Sequence, residues 1–160
     1  TFRNVNAKMY ERCGKDSGFD IMRGAIDTDA LVKIFDRENM RLGGLPKIVV
    51  YALNDYDLRA IATLTGAFPS VKLGAAWWFN DTVNGIKRQM ETVAEYSALG
   101  TQYGMLTDSR SFSSYVRFDF YRRILSSFIG ERVKNGEYDE FAAIALARKI
   151  AYENIKAALL

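Results

Sequence analysis

A carboxylate, hydroxyls and a guanidinium fall together in Thr107-Asp108-Ser109-Arg110-Ser111, directly after the apolar Gly104-Met105-Leu106 and just before a long helical pattern. If residues 102–107 form a strand and the helix begins near Ser111, Asp108 and Arg110 stand at the carboxyl end of that strand, where α/β proteins place ligands. Asp108 has the chemistry of a metal ligand or a base, and Arg110 offers a planar fork matched to a substrate carboxylate. Asp and Ser at such a junction are also the favoured helix N-caps, and an arginine there is usually solvated. On these residues alone the capping reading is the simpler one.

The elements needed to hold such a site recur along the chain. Residues 48–53, Ile-Val-Val-Tyr-Ala-Leu, are a short β-branched run without polar alternation, which reads as a parallel strand covered on both faces. Residues 71–77 and 102–107 give a second and a third strand. Helices alternate with them. Asp27-Thr28-Asp29 offers an N-cap to a helix carrying Leu31, Ile34 and Phe35 on one face and ending before Gly43-Gly44. Asn54-Asp55 caps the next, with Leu58, Ile61, Ala62 and Thr65 at helical spacing until Gly66 and Pro69. A helix over 84–97 turns Ile86, Met90, Val93 and Ala94 inward; a long one runs over 111–133, and a last helical region extends from Tyr138. Residues 1–26 lack a sustained period and read mostly as loop, with a helical turn around 5–12.

Strand-helix units at about 25 to 30 residues are the rhythm of a (β/α) fold with right-handed crossovers. A complete eight-unit barrel needs about 250 residues. The rhythm alone therefore favours a small open sheet over the closing portion of a barrel.

Composition narrows the function classes. In 160 residues, 49% hydrophobic and 26% charged is an ordinary globular balance, enough for one domain with a core. The net charge of +3 comes from 22 basic and 19 acidic residues scattered without long runs, which argues against nucleic acid as a partner. The single cysteine, Cys13, excludes an internal disulfide and fits a reducing compartment, most simply the cytoplasm. No secretory leader or spanning segment is visible, and no membrane partner is expected. Because the first residue is Thr, the chain is expected to be a piece of something longer. Histidine is absent, so proton transfer or metal binding must rely on carboxylates and tyrosine or borrow imidazoles from elsewhere.

Two stretches together carry a resemblance. Trp77-Trp78-Phe79-Asn80-Asp81, then Gly104 through Phe112, then Phe120-Tyr121-Arg122-Arg123-Ile124-Leu125 resemble the uronate (glucuronate) isomerases of the amidohydrolase superfamily. Arg3-Asn4, Asp16-Ser17-Gly18-Phe19-Asp20 and residues 47–53 extend it nearly end to end. These motifs are specific in combination and weak singly. The resemblance implies an α/β fold that is the carboxyl-terminal portion of a distorted (β/α)8 TIM-type barrel: a single partial domain, with strand-helix units over 1–110 and carboxyl-terminal helices over 111–160. Half a barrel leaves strand edges unpaired and one wall exposed, so the missing amino-terminal portion is an expected partner. A homo-oligomer is expected as well.

The implied activity is the interconversion of D-glucuronate with D-fructuronate, and of D-galacturonate with D-tagaturonate, an aldose-ketose intramolecular oxidoreduction on a uronate sugar acid. By resemblance Asp108 matches an aspartate that reaches a metal ion, Arg110 an arginine that holds the substrate carboxylate, and Trp77 a tryptophan that bounds the sugar. Arg3 matches a polar patch near the site. Trp78 and Phe79 read as packing, Asn80 and Asp81 as groups that orient Trp77 or, the simpler reading, cap the next helix, and Arg122-Arg123 as structural ion-pairing groups. The family's cofactor is a divalent metal, zinc first, held through an early His-x-His pair that a chain without histidine cannot supply. The chain alone is therefore expected to be metal-free and inactive. The alternative from another class is a non-catalytic sugar-acid binding module using Arg110 and Trp77; a third is a degenerate piece with an interaction role only.

Overall fold

Caps and stop residues written into the chain set most of the helix boundaries. In this computed structural model, which describes residues 4–14, 18–22 and 25–160, the Asp27 carboxylate accepts from Ala30 N–H and α2 runs Thr28–Leu42, stopped by Gly43 in the left-handed conformation. Asn54 accepts from Asp57 N–H to begin α3, Asp55–Ala67. Thr82 accepts from Gly85 N–H to begin α4, Val83–Tyr96. The long pattern after Ser111 becomes a 3₁₀ turn, Phe112–Tyr115, followed by α5, Val116–Lys134. Asp139 caps α6, Glu140–Arg148, which passes through one π turn, Lys149–Glu153, into α7, Asn154–Leu159.

Among the described residues the sheets are small. Strands β1, Asn4–Val5, and β2, Asp20–Ile21, pair antiparallel around α1, Ala7–Cys13, so the region read mostly as loop has a hairpin-like frame. Strands β3, Ile48–Val50, and β4, Val71–Leu73, pair parallel with α3 as the crossover between them. The fold is α/β. The expected third strand over 102–107 is not one. Gly104 adopts φ +74°, with the Ile150 carbonyl only 2.6 Å from where a Cβ would sit, and Asn154 Nδ2 donates to the carbonyls of Gly100 and Gln102, each at 2.8 Å. Contacts to the carboxyl-terminal helices thus hold this segment extended in place of a β-ladder.

The main core lies where α3, α4 and α5 meet the carboxyl ends of β3 and β4. Leu58, Ile61, Leu73, Ile86, Val93, Leu125, Phe128 and Ile150 are all but fully buried in it. A second cluster joins Phe35, Leu64 and Val71. Three packing expectations need correction. Ile34 and Ala94 are exposed, because each helix here buries a narrower stripe than its apolar positions span. Val49 is 37% exposed, so β3 is covered on one face rather than two. No helix among the described residues is long and apolar enough to cross a membrane.

Candidate active site

The backbone beyond β4 doubles back beneath β3. Gly74 N–H donates to the Val50 carbonyl at 2.7 Å, Phe79 N–H to Leu53 at 3.1 Å, and Asn80 Nδ2 to the Ala52 carbonyl at 3.2 Å. Gly74 is required here: a Cβ would lie 2.2 Å from the Tyr51 ring. That ring then meets Trp77 edge-on at 5.8 Å, and Trp77 meets Trp78 edge-on at 5.6 Å. Trp77 is therefore oriented by an aromatic neighbour on each side, in the arrangement that aligns ring edges with π faces. Burial pushes the Tyr51 phenol above its ordinary range, so it stays neutral beside the indole.

A cleft of about 370 Å³ opens at this carboxyl end of the strands, lined by Trp77, Trp78, Phe79, Asp81, Thr107, Asp108 and Arg117, with Gly18 and Asp20 closing it from the β2 side. The structure thus brings Trp77 and Asp108 to one cleft from segments thirty residues apart. Arg110 is exposed and is not among the lining residues. Arg3 lies outside the described residues, so the structure does not place it.

Two residues of the lining have left-handed backbone. Trp78 has φ +53° and Asp108 φ +48°, a left-handed conformation that is uncommon for side chains other than glycine, asparagine and aspartate. At Trp78 such backbone costs on the order of 1–3 kcal/mol and persists only where its surroundings impose it, whereas an aspartate adopts it more readily. At Asp108 the left-handed turn bends the chain out of the extended 102–107 segment. At Trp78 it starts the 3₁₀ turn Trp78–Asn80. Trp78 and Phe79, read from sequence as packing, are half-buried and face the cleft instead.

Asn80 and Asp81 do not cap α4; Thr82 does. Asn80 is fully buried and serves the β3 end, as its bond to Ala52 shows. Asp81 pairs with Arg117, whose Nη2 donates to Asp81 Oδ2 and whose Nη1 reaches the Thr107 carbonyl at 3.5 Å. Sequence reasoning passed over Arg117, and over Gly18 and Asp20 as cleft residues. Arg117 is the second residue of α5, and nothing local distinguishes it from a solvated helix arginine. Arg123 pairs with Asp119 one turn away at 2.8 Å on an exposed face, in keeping with a structural role.

The cleft sets an aromatic wall, Trp77 to Phe79, opposite polar groups, with Arg117 engaged by Asp81 and the Asp108 carboxylate at a left-handed turn. It does not contain a metal site: among the described residues no three Asp, Glu, Cys or His groups converge as a donor set, and Asp108 contributes a single carboxylate. Catalytic zinc normally takes three protein ligands, so these residues alone do not fit the ion.

The chain matches the family model described as glucuronate isomerase over residues 1–158. It is 40% identical over 160 residues to the uronate isomerase of Oceanobacillus iheyensis, covering 95% of this chain and 34% of that protein. It is 45% identical over 141 residues to the uronate isomerase of Clostridium acetobutylicum, covering 84% of this chain and 30% of that one. Among solved structures it superposes on the uronate isomerase of Thermotoga maritima with TM-score 0.89 at 32% identity, over 99% of this chain and 35% of the other. The glucuronate isomerase of Caulobacter crescentus gives 0.81 at 32% identity, over 98% and 33%. The chain spans about a third of the length of these relatives. A match from residue 1 to residue 158, supported by both sequence and backbone, means that the chain belongs to the glucuronate (uronate) isomerase family.

Proposed function

We propose that this chain is the carboxyl-terminal part of a distorted (β/α)8 barrel and that the whole protein is a uronate isomerase. It would interconvert D-glucuronate with D-fructuronate, and D-galacturonate with D-tagaturonate. The supporting observation is the cleft itself: in a member of this family, Trp77 and Asp108 meet at the carboxyl end of parallel strands, the side on which barrel enzymes keep their sites. The exposed Val49, Phe19 and Ile21 support the barrel reading as apolar surface for a preceding portion to cover. A homo-oligomer of the whole protein belongs to the same proposal.

The reaction moves a proton between adjacent carbons while carbonyl and hydroxyl exchange places, so the site must hold the sugar, stabilise enediolate-like charge and carry a proton. Trp77 provides a flat wall for the C–H face of the sugar and one indole N–H donor. Arg110 is assigned the substrate carboxylate, its exposed guanidinium swinging toward a ligand that extends beyond the cleft mouth. Arg3 is assigned to the same polar rim. Asp108 supplies a carboxylate as metal donor or proton carrier. A divalent metal, zinc first, would need its other ligands from the preceding portion, because the donor set is not contained in the described residues.

The experiment is to assay conversion of D-glucuronate by the 160-residue chain, by the preceding portion, and by the two joined. Turnover is expected only when they are joined. Turnover by this chain alone would refute the division of the site, whereas a joined protein that binds uronates without converting them would leave a sugar-acid binding module.

A further inference from the structure

Two segments carry the candidate chemistry, and each departs from regular structure at a left-handed residue. One runs from Gly74 to Asp81 through Trp78; the other runs from Gly104 to Arg110 through Asp108. Among the described residues neither is assigned to a β-ladder: the first is tied to residues 50–53 through Gly74, Phe79 and Asn80, the second to Asn154 through Gln102, and those bonds do not join the two segments to each other. Arg117 reaches both. Its Nη2 donates to Asp81 Oδ2, one residue past the 3₁₀ turn that Trp78 opens, and its Nη1 reaches the Thr107 carbonyl at 3.5 Å, the residue before Asp108. The side chain is two-thirds covered, at 34% exposure. Its root is fixed as well, since Tyr121 one turn further on the same face of α5 is buried in the core.

We propose that Arg117 is a positioning residue that sets the separation of the Trp77 wall and the Asp108 carboxylate by bridging their two segments. A guanidinium suits this task because its donors diverge in a rigid plane and can serve a carboxylate and a carbonyl at once. Lysine keeps the charge and has no such fork. Among the described residues Asp81 Oδ1 is buried without a hydrogen-bond partner, and the Arg117 contact to Oδ2 is the attachment of that side chain. The kinetic consequences rest on the uronate isomerase reading; the structural ones do not.

The test uses the full-length protein with Arg117→Lys, Arg117→Met and the pair Arg117→Met with Asp81→Leu. Amide hydrogen exchange is expected to speed up in both 76–82 and 104–110 in the Lys and Met variants, while α3 is unchanged. Acceleration in one segment only, or in neither, overturns the bridge whether or not the protein turns over any uronate. For D-glucuronate, kcat is expected to fall about 100-fold, the scale of an ångström misplacement of reacting groups, with KM within about threefold. The pair removes both charges, so its unfolding midpoint should recover toward wild type while kcat stays low. Recovery of kcat along with stability would reduce Arg117 to a charge partner of Asp81. A large rise in KM at unchanged kcat would make it a substrate-binding group, and either result overturns the positioning role. If the wild-type protein converts no uronate, the proposed function fails and the exchange data alone decide on Arg117.

Discussion

Two polar places are built from nearly the same segments and differ in almost every physical respect. The open cleft takes Trp77 and Asp81 from the segment after β4, Asp108 from the bend after 102–107, and Arg117 from α5. A much smaller pocket, of only about 20 Å³, takes Ala76 from the first, Gln102 and Gly104 from the second, and Tyr121 from α5, with Gln89 of α4. The cleft is charged, half-exposed and left-handed at two backbone positions. The cavity is neutral: Gln89 Nε2 donates to the Gly74 carbonyl at 2.6 Å, while Gln89 Oε1 and Gln102 Nε2 have no partner among the described residues. Burial pushes the Tyr121 phenol well above its ordinary range, so it remains un-ionised there. Charges would be too costly to bury at the cavity, whereas neutral amides can be held by a few hydrogen bonds. The contrast is between an amide, Gln89, that ties α4 to the segment after β4, and an ion pair, Asp81 with Arg117, that ties α5 to the same segment at the open cleft.

The comparison breaks if variants in the two places behave alike. The largest effect is expected from Asp108→Asn in the full-length protein, where loss of the carboxylate should lower turnover of D-glucuronate by roughly 10²- to 10⁴-fold, the usual scale of an acid-base group. Its unfolding midpoint should barely move, because an exposed side chain has little burial to lose. Next comes Gln89→Leu, which strands the Gly74 carbonyl and should reduce stability by about 1–3 kcal/mol in urea unfolding, with turnover changed less than the stability loss would suggest for a cleft residue. Smallest is Gln102→Leu, whose Nε2 has no partner to lose among the described residues and which should cost under about 1 kcal/mol. Equal losses for the two glutamines would show that both are bound into one network through the cavity. That would sharpen the contrast with the cleft rather than remove it.

Local signals were legible because they act within one turn of chain. Asp27, Asn54 and Gly43 mark the helix ends that the sequence assigned to them. The third strand was misread because an apolar run such as 102–107 looks the same whether a ladder or a set of helices covers it; Gly104 and Asn154, fifty residues apart, decided the matter. Asn80 and Asp81 looked like caps for the same reason. Capping is a local option open to any Asn or Asp before a helix, and Thr82, one residue on, was equally eligible. Asp108 and Trp77 were singled out as a pair through the family resemblance, whereas Arg117 carried no signal beyond being an arginine on a helix.

The sequence by itself determined the helices α2 to α4 with their caps, the two parallel strands β3 and β4, and membership of a family whose motifs run through the chain. These follow from patterns of period, capping and residue type that need no partner far away. Only the tertiary structure decided which polar residues share the cleft. It placed Asp20, Asp81 and Arg117 with Trp77 and Asp108, left Arg110 outside the lining, and forced Trp78 and Asp108 into left-handed backbone. Ion pairs across the cleft and left-handed turns depend on distances between segments far apart in the chain, and those distances exist only once the core beneath them has packed.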